Sequence, residues 1–103
     1  MSFFKTPMYR NKKLLKLAEN MEQCTRCDQY KPVCMAHSNQ GRHGHSRGMK
    51  AHDIFIAALC RECHFIIDDD CKLSRAERVE EWNRAHEKTL VWLFNNGSLG
   101  VIE

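Results

Sequence analysis

The apolar residues of this chain are arranged in short segments whose spacing predicts both helices and strands. Between residues 11 and 22 they recur every three or four positions with lysines between them, the spacing of a short amphipathic helix with a basic outer face. Segments 33–37 and 54–59 are short continuous apolar runs, which favour buried strands. Residues 38–50 between them contain three glycines among basic and polar side chains, and they are predicted to form a flexible basic loop.

The rest of the chain is predicted to be mainly helical. One helix is expected to begin near His64 and a second, longer one to cover 74–95. Ser74 and Glu77, at the start of the second helix, have the spacing of a capping box. Because no internal repeat or linker divides the chain, all 103 residues are expected to form one domain. The sequence therefore predicts an α+β fold with a small core flanked by an N-terminal helix and a long C-terminal helix.

The composition is that of a globular protein with an unusual number of metal-binding side chains. Hydrophobic residues make up 43% and charged residues 28%, which excludes collagenous and wholly disordered classes, but six cysteines and six histidines are many for this length. A domain this small often needs disulfides or a metal for stability. The first residues lack the pattern of a signal peptide, and no apolar segment approaches the roughly 20 residues that span a bilayer. We therefore expect a cytoplasmic protein without membrane contact, whose reduced cysteines bind a metal.

The charge is distributed unevenly along the chain. Residues 1–50 contain ten lysines and arginines against three acidic residues, a formal charge of +7, whereas residues 51–103 contain six against ten, a charge of −4. A basic half joined to an acidic half predicts one surface that faces a polyanion such as DNA. Unevenly distributed solvated charge, with no partner, is the alternative.

Two Cys-x-x-Cys pairs provide the strongest metal-binding pattern. Cys24 and Cys27 form the first pair and Cys60 and Cys63 the second, with 32 residues between the pairs. Each pair can direct two thiolates to one ion, and two pairs complete the tetrahedral sulfur shell of a structural zinc site. The spacing therefore predicts one structural Zn²⁺ bound by these four cysteines, with an insertion between the pairs.

Three further residues of these types receive no chemical role. Cys34 lies between apolar neighbours and is predicted to be a small buried hydrophobic residue and not a ligand. His86 is predicted to lie on the surface of the C-terminal helix. The sequence assigns no role to Cys71.

The insertion contains residues that are able to converge on a second cation. His37 ends the first predicted strand, and His64 directly follows the second cysteine pair. Asp68 comes four residues after His64, so the two side chains share one face of a helix, and a single divalent ion can take both. We therefore expect an arrangement of strand, loop, strand and helix in which two histidines and an aspartate converge.

These residues, in this order, resemble a known family. The stretches CTRC, MAHSNQGRHGHSRGMKAHD and IAALCRECHFIID, within residues 24–68, resemble the HNH endonucleases, particularly their small zinc-containing phage and prophage members. The resemblance implies a ββα-metal core over 24–68 within a single nuclease domain.

The resemblance also implies roles for individual residues. His37 matches the general base that activates water, and His64 matches the helix position that holds the catalytic divalent ion. Asp53 lies near the position of the family's central asparagine, which braces the loop and orients the base. The four paired cysteines match the structural zinc site of many members.

The sequence departs from the family pattern at two positions. The family often has an acidic metal ligand directly before the first histidine, where this chain has Ala36. From its spacing, we expect Asp68 to supply that carboxylate. At the position of the family's central asparagine this chain has an aspartate, Asp53, which lies about two places early.

The chemistry of phosphodiester hydrolysis is consistent with these roles. It needs a base that titrates near neutral pH, for which His37 is the candidate, and a cation that neutralises charge on the phosphate. The cation is expected to be Mg²⁺, Mn²⁺ or another divalent ion held by His64 and Asp68. The loop is expected to contact flanking DNA phosphates, the alternative being a solvated loop without specific contacts. The candidate DNA-binding residues are Arg42, His43, Arg47 and Lys50.

Three functions are compared with these sequence features. The first is a metal-dependent DNA endonuclease or nickase of phage or prophage recombination and DNA processing. The second is a non-catalytic zinc-containing module that binds DNA or assists recombination. Ala36 supports this alternative because it stands where the family often has an acidic metal ligand. A thiol–disulfide redox protein is disfavoured because no βαβ pattern accompanies the cysteine pairs. The sequence leaves open the preferred DNA structure, the oligomeric state and whether recombination or replication proteins are partners.

Overall fold

The computed structural model describes residues 8–68 and 72–96. Cys71 lies outside the described residues. Within them the chain has an α+β fold, as the sequence predicts. None of the described helices is long and apolar enough to cross a bilayer. In chain order the elements are α1 (Lys12–Ala18), β1 (Cys34–His37), a short 3₁₀ turn (Gly41–His43), β2 (Ile56–Leu59), α2 (Arg61–Asp68) and α3 (Arg75–Asn95).

The first helix is shorter than the predicted segment 11–22. It begins at the Asn11 cap, whose side chain accepts a hydrogen bond from the Leu14 N–H, and it ends at Ala18. The chain then turns, and Met21 packs into the core from outside the helix. The apolar pattern of residues 11–22 therefore continues past the end of α1 because Met21 is buried, and not because the helix continues.

The two strands form an antiparallel pair at the centre of the fold. Cys34 pairs with Leu59 and His37 with Ile56, so each strand is four residues long. All four residues of β2 are buried, because one face of the strand meets α1 and the end of α3 while the other meets α2 and the middle of α3. The strand is therefore covered on both faces, which accounts for its continuous apolar run.

The long helix α3 is joined to both strands by hydrogen bonds from buried polar side chains. Trp82 donates its indole N–H to the carbonyl of Ala36 in β1 at 3.0 Å. Thr89 accepts the N–H of Ala58 in β2 at 3.0 Å and donates its own hydroxyl to Ala85 within the helix. These bonds satisfy backbone groups of a two-stranded sheet that would otherwise be buried without partners.

The start of α3 has the capping box that the sequence predicts. Ser74 accepts the Glu77 N–H at 3.1 Å, and the Glu77 carboxylate accepts the Ser74 N–H at 2.8 Å.

The prediction that His86 lies on the surface of α3 is wrong, because the residue is half-buried. Its ring stacks on Trp82 with centroids 4.8 Å apart, and its Nδ1 donates to the Ile56 carbonyl at 2.7 Å. Burial lowers the pKa of His86. The helix buries a wider face than the apolar residues alone indicate, and His86 lies on it.

Candidate functional site

The four paired cysteines converge in the structure. Cys24 and Cys27 lie in the turn after α1, while Cys60 and Cys63 lie at the junction of β2 and α2. Their sulfur atoms are all within 4.8 Å of one another, and those of Cys27 and Cys60 are 3.9 Å apart. Two sulfurs bound to one zinc at tetrahedral angles lie about 3.8 Å apart. The donor set and its spacing therefore fit a zinc ion.

The first cysteine pair is positioned by direct contact with β2. The backbone N–H and the hydroxyl of Thr25 both donate to the carbonyl of Ala58, at 3.0 and 2.7 Å. Asp28 closes the turn with φ of 62° and donates its N–H to the Cys24 carbonyl. Because the second pair follows β2 directly, one strand positions both halves of the cluster.

Arg26 contacts the four-cysteine cluster, although no pattern in the sequence indicates a role for it. Its backbone N–H donates to the sulfur of Cys24 at 3.4 Å, and its guanidinium group donates to the sulfur of Cys63 at 3.5 Å. The same guanidinium group forms an ion pair with Glu81 of α3 at 3.3 Å. Arg26 therefore connects the two cysteine pairs and joins both to the long helix.

The protein surroundings give the cysteines different proton affinities. Burial opposes ionisation of Cys24, but backbone hydrogen bonds from Cys27, Cys60 and Arg26 outweigh it and lower its pKa to about 7. Burial raises the pKa of Cys60 to about 12 and also raises that of Cys63. A divalent cation at the centre of the cluster favours the thiolate form of all four, so metal binding is expected to release protons.

His37 and Asp53 form a hydrogen-bonded pair at the end of β1. The Nε2 atom of His37 is 2.8 Å from Oδ1 of Asp53, and the side chains are 15% and 3% exposed. Asp53 also accepts the backbone N–H of Asn11 at 2.6 Å, and Arg10 is 3.5 Å away. Burial opposes the charge on Asp53, but the hydrogen bonds from His37 and Asn11 and the charge of Arg10 hold its pKa below its usual value. An ionised Asp53 receives the His37 Nε2–H and leaves Nδ1 able to accept a proton.

The segment before α1 holds Asp53 in place, which no local pattern in the sequence indicates. The N–H of Asp53 donates to the carbonyl of Tyr9 at 2.9 Å. The guanidinium group of Arg10 donates to the carbonyls of Lys50 and Ala51 at 2.9 and 2.7 Å. These contacts join residues that are about forty positions apart in the chain. Arg10 and Asn11 are therefore positioning residues for the pair that only the fold reveals.

Replacing Asp53 with asparagine is expected to lower the free energy of unfolding by about 1–3 kcal/mol. An amide has only one acceptor oxygen, so it cannot accept the hydrogen bonds from His37 and Asn11 on two different oxygens. Because the folded pKa of Asp53 lies below its unfolded value of about 3.9, the stabilisation is complete at pH 7 and is lost only as the pH falls through the folded value. Denaturant unfolding of the zinc-loaded protein at pH 7 measures the change.

The matched control for this substitution is Asp28→Asn. Asp28 is exposed, its ion pair with Lys88 lies at the surface, and asparagine tolerates its positive φ. We expect a change within about 0.5 kcal/mol for this variant. Equal changes for the two variants would show that the buried contacts of Asp53 contribute nothing measurable.

His64 and Asp68 form a second pair on one face of α2. Nε2 of His64 is 2.8 Å from Oδ2 of Asp68, whose other oxygen accepts a hydrogen bond from Asn39 at 3.0 Å. The sulfur of Cys34 lies 3.1 Å from Nδ1 of His64. The prediction that Cys34 is a buried hydrophobic residue is therefore wrong: it lies at the start of β1, at the margin of the core, and its exposed thiol contacts α2.

The two pairs remain separate in the structure. Within residues 8–68 and 72–96, only the four cysteines form a group of three or more His, Cys, Asp or Glu side chains with ligand atoms within 4.8 Å of one another. His37 does not join His64 and Asp68 in such a group. The candidate site residues thus form two hydrogen-bonded pairs, His37 with Asp53 and His64 with Asp68.

The candidate DNA-binding residues of the loop differ in their accessibility. Arg42, Arg47 and Lys50 are exposed. His43 is not: its ring stacks on Phe55 with centroids 4.1 Å apart, and burial lowers its pKa. His43 therefore packs the base of the loop, and the three cations remain as candidates for phosphate contact.

Gly44 occupies a position in this loop where both the backbone angle and the neighbouring His52 ring disfavour a side chain. Gly44 follows the 3₁₀ turn with φ of 94°, and a Cβ atom there would lie 2.8 Å from the His52 ring. The loop also contains a backbone bridge between Ser46 and Met49. It is therefore built from defined turns and lies close to the segment that carries Asp53.

Comparison with protein-family models, with curated proteins and with solved structures gave no match. The resemblance to HNH endonucleases therefore rests on the motif residues of 24–68 and on the chemistry of their side chains. The structure itself has a small α+β fold and a cluster of four cysteines that is able to bind a metal ion.

Proposed function

We propose that this protein is a metal-dependent DNA endonuclease or nickase of the HNH type. The observation that carries the proposal is the hydrogen bond between His37 and the buried carboxylate of Asp53. Among the residues that the structure describes, the other ring nitrogen of His37 makes no hydrogen bond, and the buried carboxylate, itself held by Asn11, sets the tautomer and the orientation of the ring. This is the arrangement that general-base activation of water requires.

In the proposed reaction, Nδ1 of His37 removes a proton from water as the water oxygen attacks the phosphorus atom. The bond between phosphorus and the leaving deoxyribose oxygen breaks, and that oxygen takes a proton from solvent. Asp53 stays ionised throughout and stabilises the imidazolium that forms on His37. Because Asp53 does not touch the substrate, it acts as a positioning residue.

The residues proposed to hold the catalytic cation are His64 and Asp68. Two ligand atoms at right angles on one Mg²⁺ or Mn²⁺ ion lie about 3 Å apart, and Nε2 of His64 and Oδ2 of Asp68 are 2.8 Å apart. The pair therefore fits one face of such an ion. When bound, the ion would supply positive charge for the phosphate and the leaving oxygen. The carboxylate of Asp68 then takes the place of the acidic ligand that is absent at Ala36.

The remaining parts of the proposal concern stability and substrate binding. The four-cysteine cluster is proposed to hold a structural zinc ion that joins the turn after α1 to α2. The exposed cations Arg42, Arg47 and Lys50 are proposed to bind phosphates on either side of the cleaved bond, since charged side chains on a glycine-containing loop suit the DNA backbone. DNA processing or recombination, as in a phage or prophage, is the proposed setting.

The second candidate is a zinc-containing module that binds DNA without cutting it. Two observations favour it. Ala36 stands where an acidic ligand is expected, and in the described part of the chain no third His, Cys, Asp or Glu has a ligand atom within 4.8 Å of those of both His64 and Asp68. A site with two protein ligands binds a divalent ion weakly unless substrate phosphate completes the shell.

Incubation of supercoiled plasmid with the zinc-loaded protein distinguishes the two candidates. We expect conversion to the nicked circle when Mg²⁺ or Mn²⁺ is added, and a gel-shift measurement under the same conditions gives the bound fraction. Binding without nicking in Mg²⁺, Mn²⁺, Ni²⁺ and Co²⁺ would reject the enzyme and favour the DNA-binding module.

A further inference from the structure

A pocket of about 480 Å³ lies beside the candidate site, between the loop after β1 and the helices α2 and α3. Asn39 and Gln40 line it from the loop, Ile67 from α2, and Arg75, Arg78 and Val79 from α3. The volume is in the range of pockets that bind small ligands. Neither the motif residues nor the proposed reaction gives this pocket a role.

The pocket is joined to the candidate cation site through Asp68. Asn39 donates its side-chain N–H to the Asp68 carboxylate at 3.0 Å, and Arg78 donates to the Asp68 carbonyl at 3.3 Å. Asn39 also follows His37 by only two residues. A group bound in the pocket therefore lies next to the phosphate that His37 and Asp68 are proposed to act on.

The side chains of the pocket combine positive charge with apolar surface. Arg75 and Arg78 supply two guanidinium groups, and the Nε of Arg78 is buried and has no hydrogen-bond partner within the described residues. Ile67 and Val79 supply apolar walls, and Asn39 supplies an amide. A phosphate joined to a flat, partly apolar ring with polar edges matches this set, which is the chemistry of a nucleotide.

We propose that this pocket binds one unpaired nucleotide next to the scissile phosphate. The inference rests on the proposed function and names its substrate class. A base in a continuous duplex enters a pocket only after it is unstacked and unpaired, at a cost of about a few kcal/mol, so the preferred substrates are single-stranded, gapped or branched DNA. Arg75 and Arg78 hold the phosphate of this nucleotide, and Val79 and Ile67 contact its base.

The test measures binding of fluorescent DNA without added Mg²⁺ or Mn²⁺, so that no cleavage is needed for the readout. The probes are a 33-nucleotide single strand, the duplex of the same sequence, and that duplex with a central three-nucleotide gap flanked by 15 base pairs on each side. We expect the parent protein to bind the single strand and the gapped duplex about tenfold more tightly than the intact duplex, as expected when one base gains a stacking or pocket contact.

Two substitutions separate filling of the pocket from loss of charge. Val79→Trp fills the pocket without changing charge and is expected to weaken single-strand binding about tenfold while leaving duplex binding unchanged. Arg75→Ala removes an exposed side chain in the first turn of α3 and is expected to lower the slope of log affinity against log salt by about 0.7 for the single strand. Thermal unfolding confirms that each variant is folded; if Val79→Trp unfolds, Val79→Met is the smaller replacement.

The matched control is Arg84→Ala. Arg84 is an exposed cation on the same helix, paired with Glu80 at 2.9 Å, and it does not line the pocket. We expect its affinities for all three probes to stay within about twofold of the parent. If Arg75→Ala and Arg84→Ala weaken binding equally, the effect is one of net charge and the pocket proposal is rejected.

The outcomes for the pocket and for the nuclease proposal are distinguishable. Tighter binding of unpaired DNA that depends on Val79, in a protein that nicks nothing, would support the pocket and reject the nuclease. Nicking of plasmid by a protein that binds duplex and single strand equally, with Val79→Trp unchanged, would support the nuclease and reject the pocket.

Discussion

Replacing His37 with alanine is expected to lower the rate of plasmid nicking by a factor of about 10²–10⁴, the usual contribution of a general base. The reason is structural: His37 is the histidine whose Nε2 donates to the buried carboxylate of Asp53, so its Nδ1 is oriented to take a proton. The measurement is the initial rate of nicked-circle formation at saturating Mn²⁺, with DNA affinity measured in parallel. We expect the affinity to change by less than about threefold, because the proposed role of His37 lies in the chemical step.

A chemical rescue experiment distinguishes a base from a structural residue. Added imidazole is expected to restore part of the activity of His37→Ala, since a free base can occupy the space that the side chain vacates. It is not expected to rescue His64→Ala, in which the proposed cation ligand is lost and activity should instead recover partly at raised Mn²⁺ concentration. A His37→Ala protein that nicks at the parental rate would remove His37 from the mechanism.

Replacing Cys60 with serine is expected to leave the protein unfolded at 25 °C, so that added denaturant produces no cooperative transition. Structural zinc sites contribute apparent free energies of about 10–16 kcal/mol at pH 7, which equals or exceeds the total stability of a typical domain of about 5–15 kcal/mol. Here the cluster joins the turn after α1 to the junction of β2 and α2, and Cys24, Cys60 and Cys63 belong to the core itself. Zinc content by elemental analysis and the dispersion of amide NMR signals provide the measurements.

Cys34→Ser is the matched control for this prediction. Cys34 is exposed and lies outside the four-cysteine cluster, so its replacement should leave one zinc per chain and a folded protein. A strong chelator added to the parent protein should reproduce the Cys60→Ser result, and added zinc should reverse it. A Cys60→Ser protein that stays folded with no bound zinc would reject the structural role of the cluster.

The sequence predicted the elements of the fold better than the positions of single side chains. The apolar runs of β1 and β2 and the capping box of α3 are local patterns, and the structure contains all three elements with their ends shifted by one or two residues. The predictions for Cys34 and His86 were wrong because both depend on which neighbouring element covers the residue. A cysteine among apolar neighbours at a strand end, and a histidine within a polar helix, do not carry that information.

Local patterns were enough to predict an α+β protein with two cysteine pairs able to bind one metal ion, because element type and ligand spacing follow from local periodicity and from the geometry of a Cys-x-x-Cys turn. The packing of the elements, in contrast, brings Arg10 and Asn11 to Asp53, Arg26 to both cysteine pairs, and two arginines to a pocket beside Asp68. Each of these contacts connects residues far apart in the chain. Such contacts depend on how the elements pack, and the packing of a short antiparallel pair under one long helix leaves no periodic signal in the sequence.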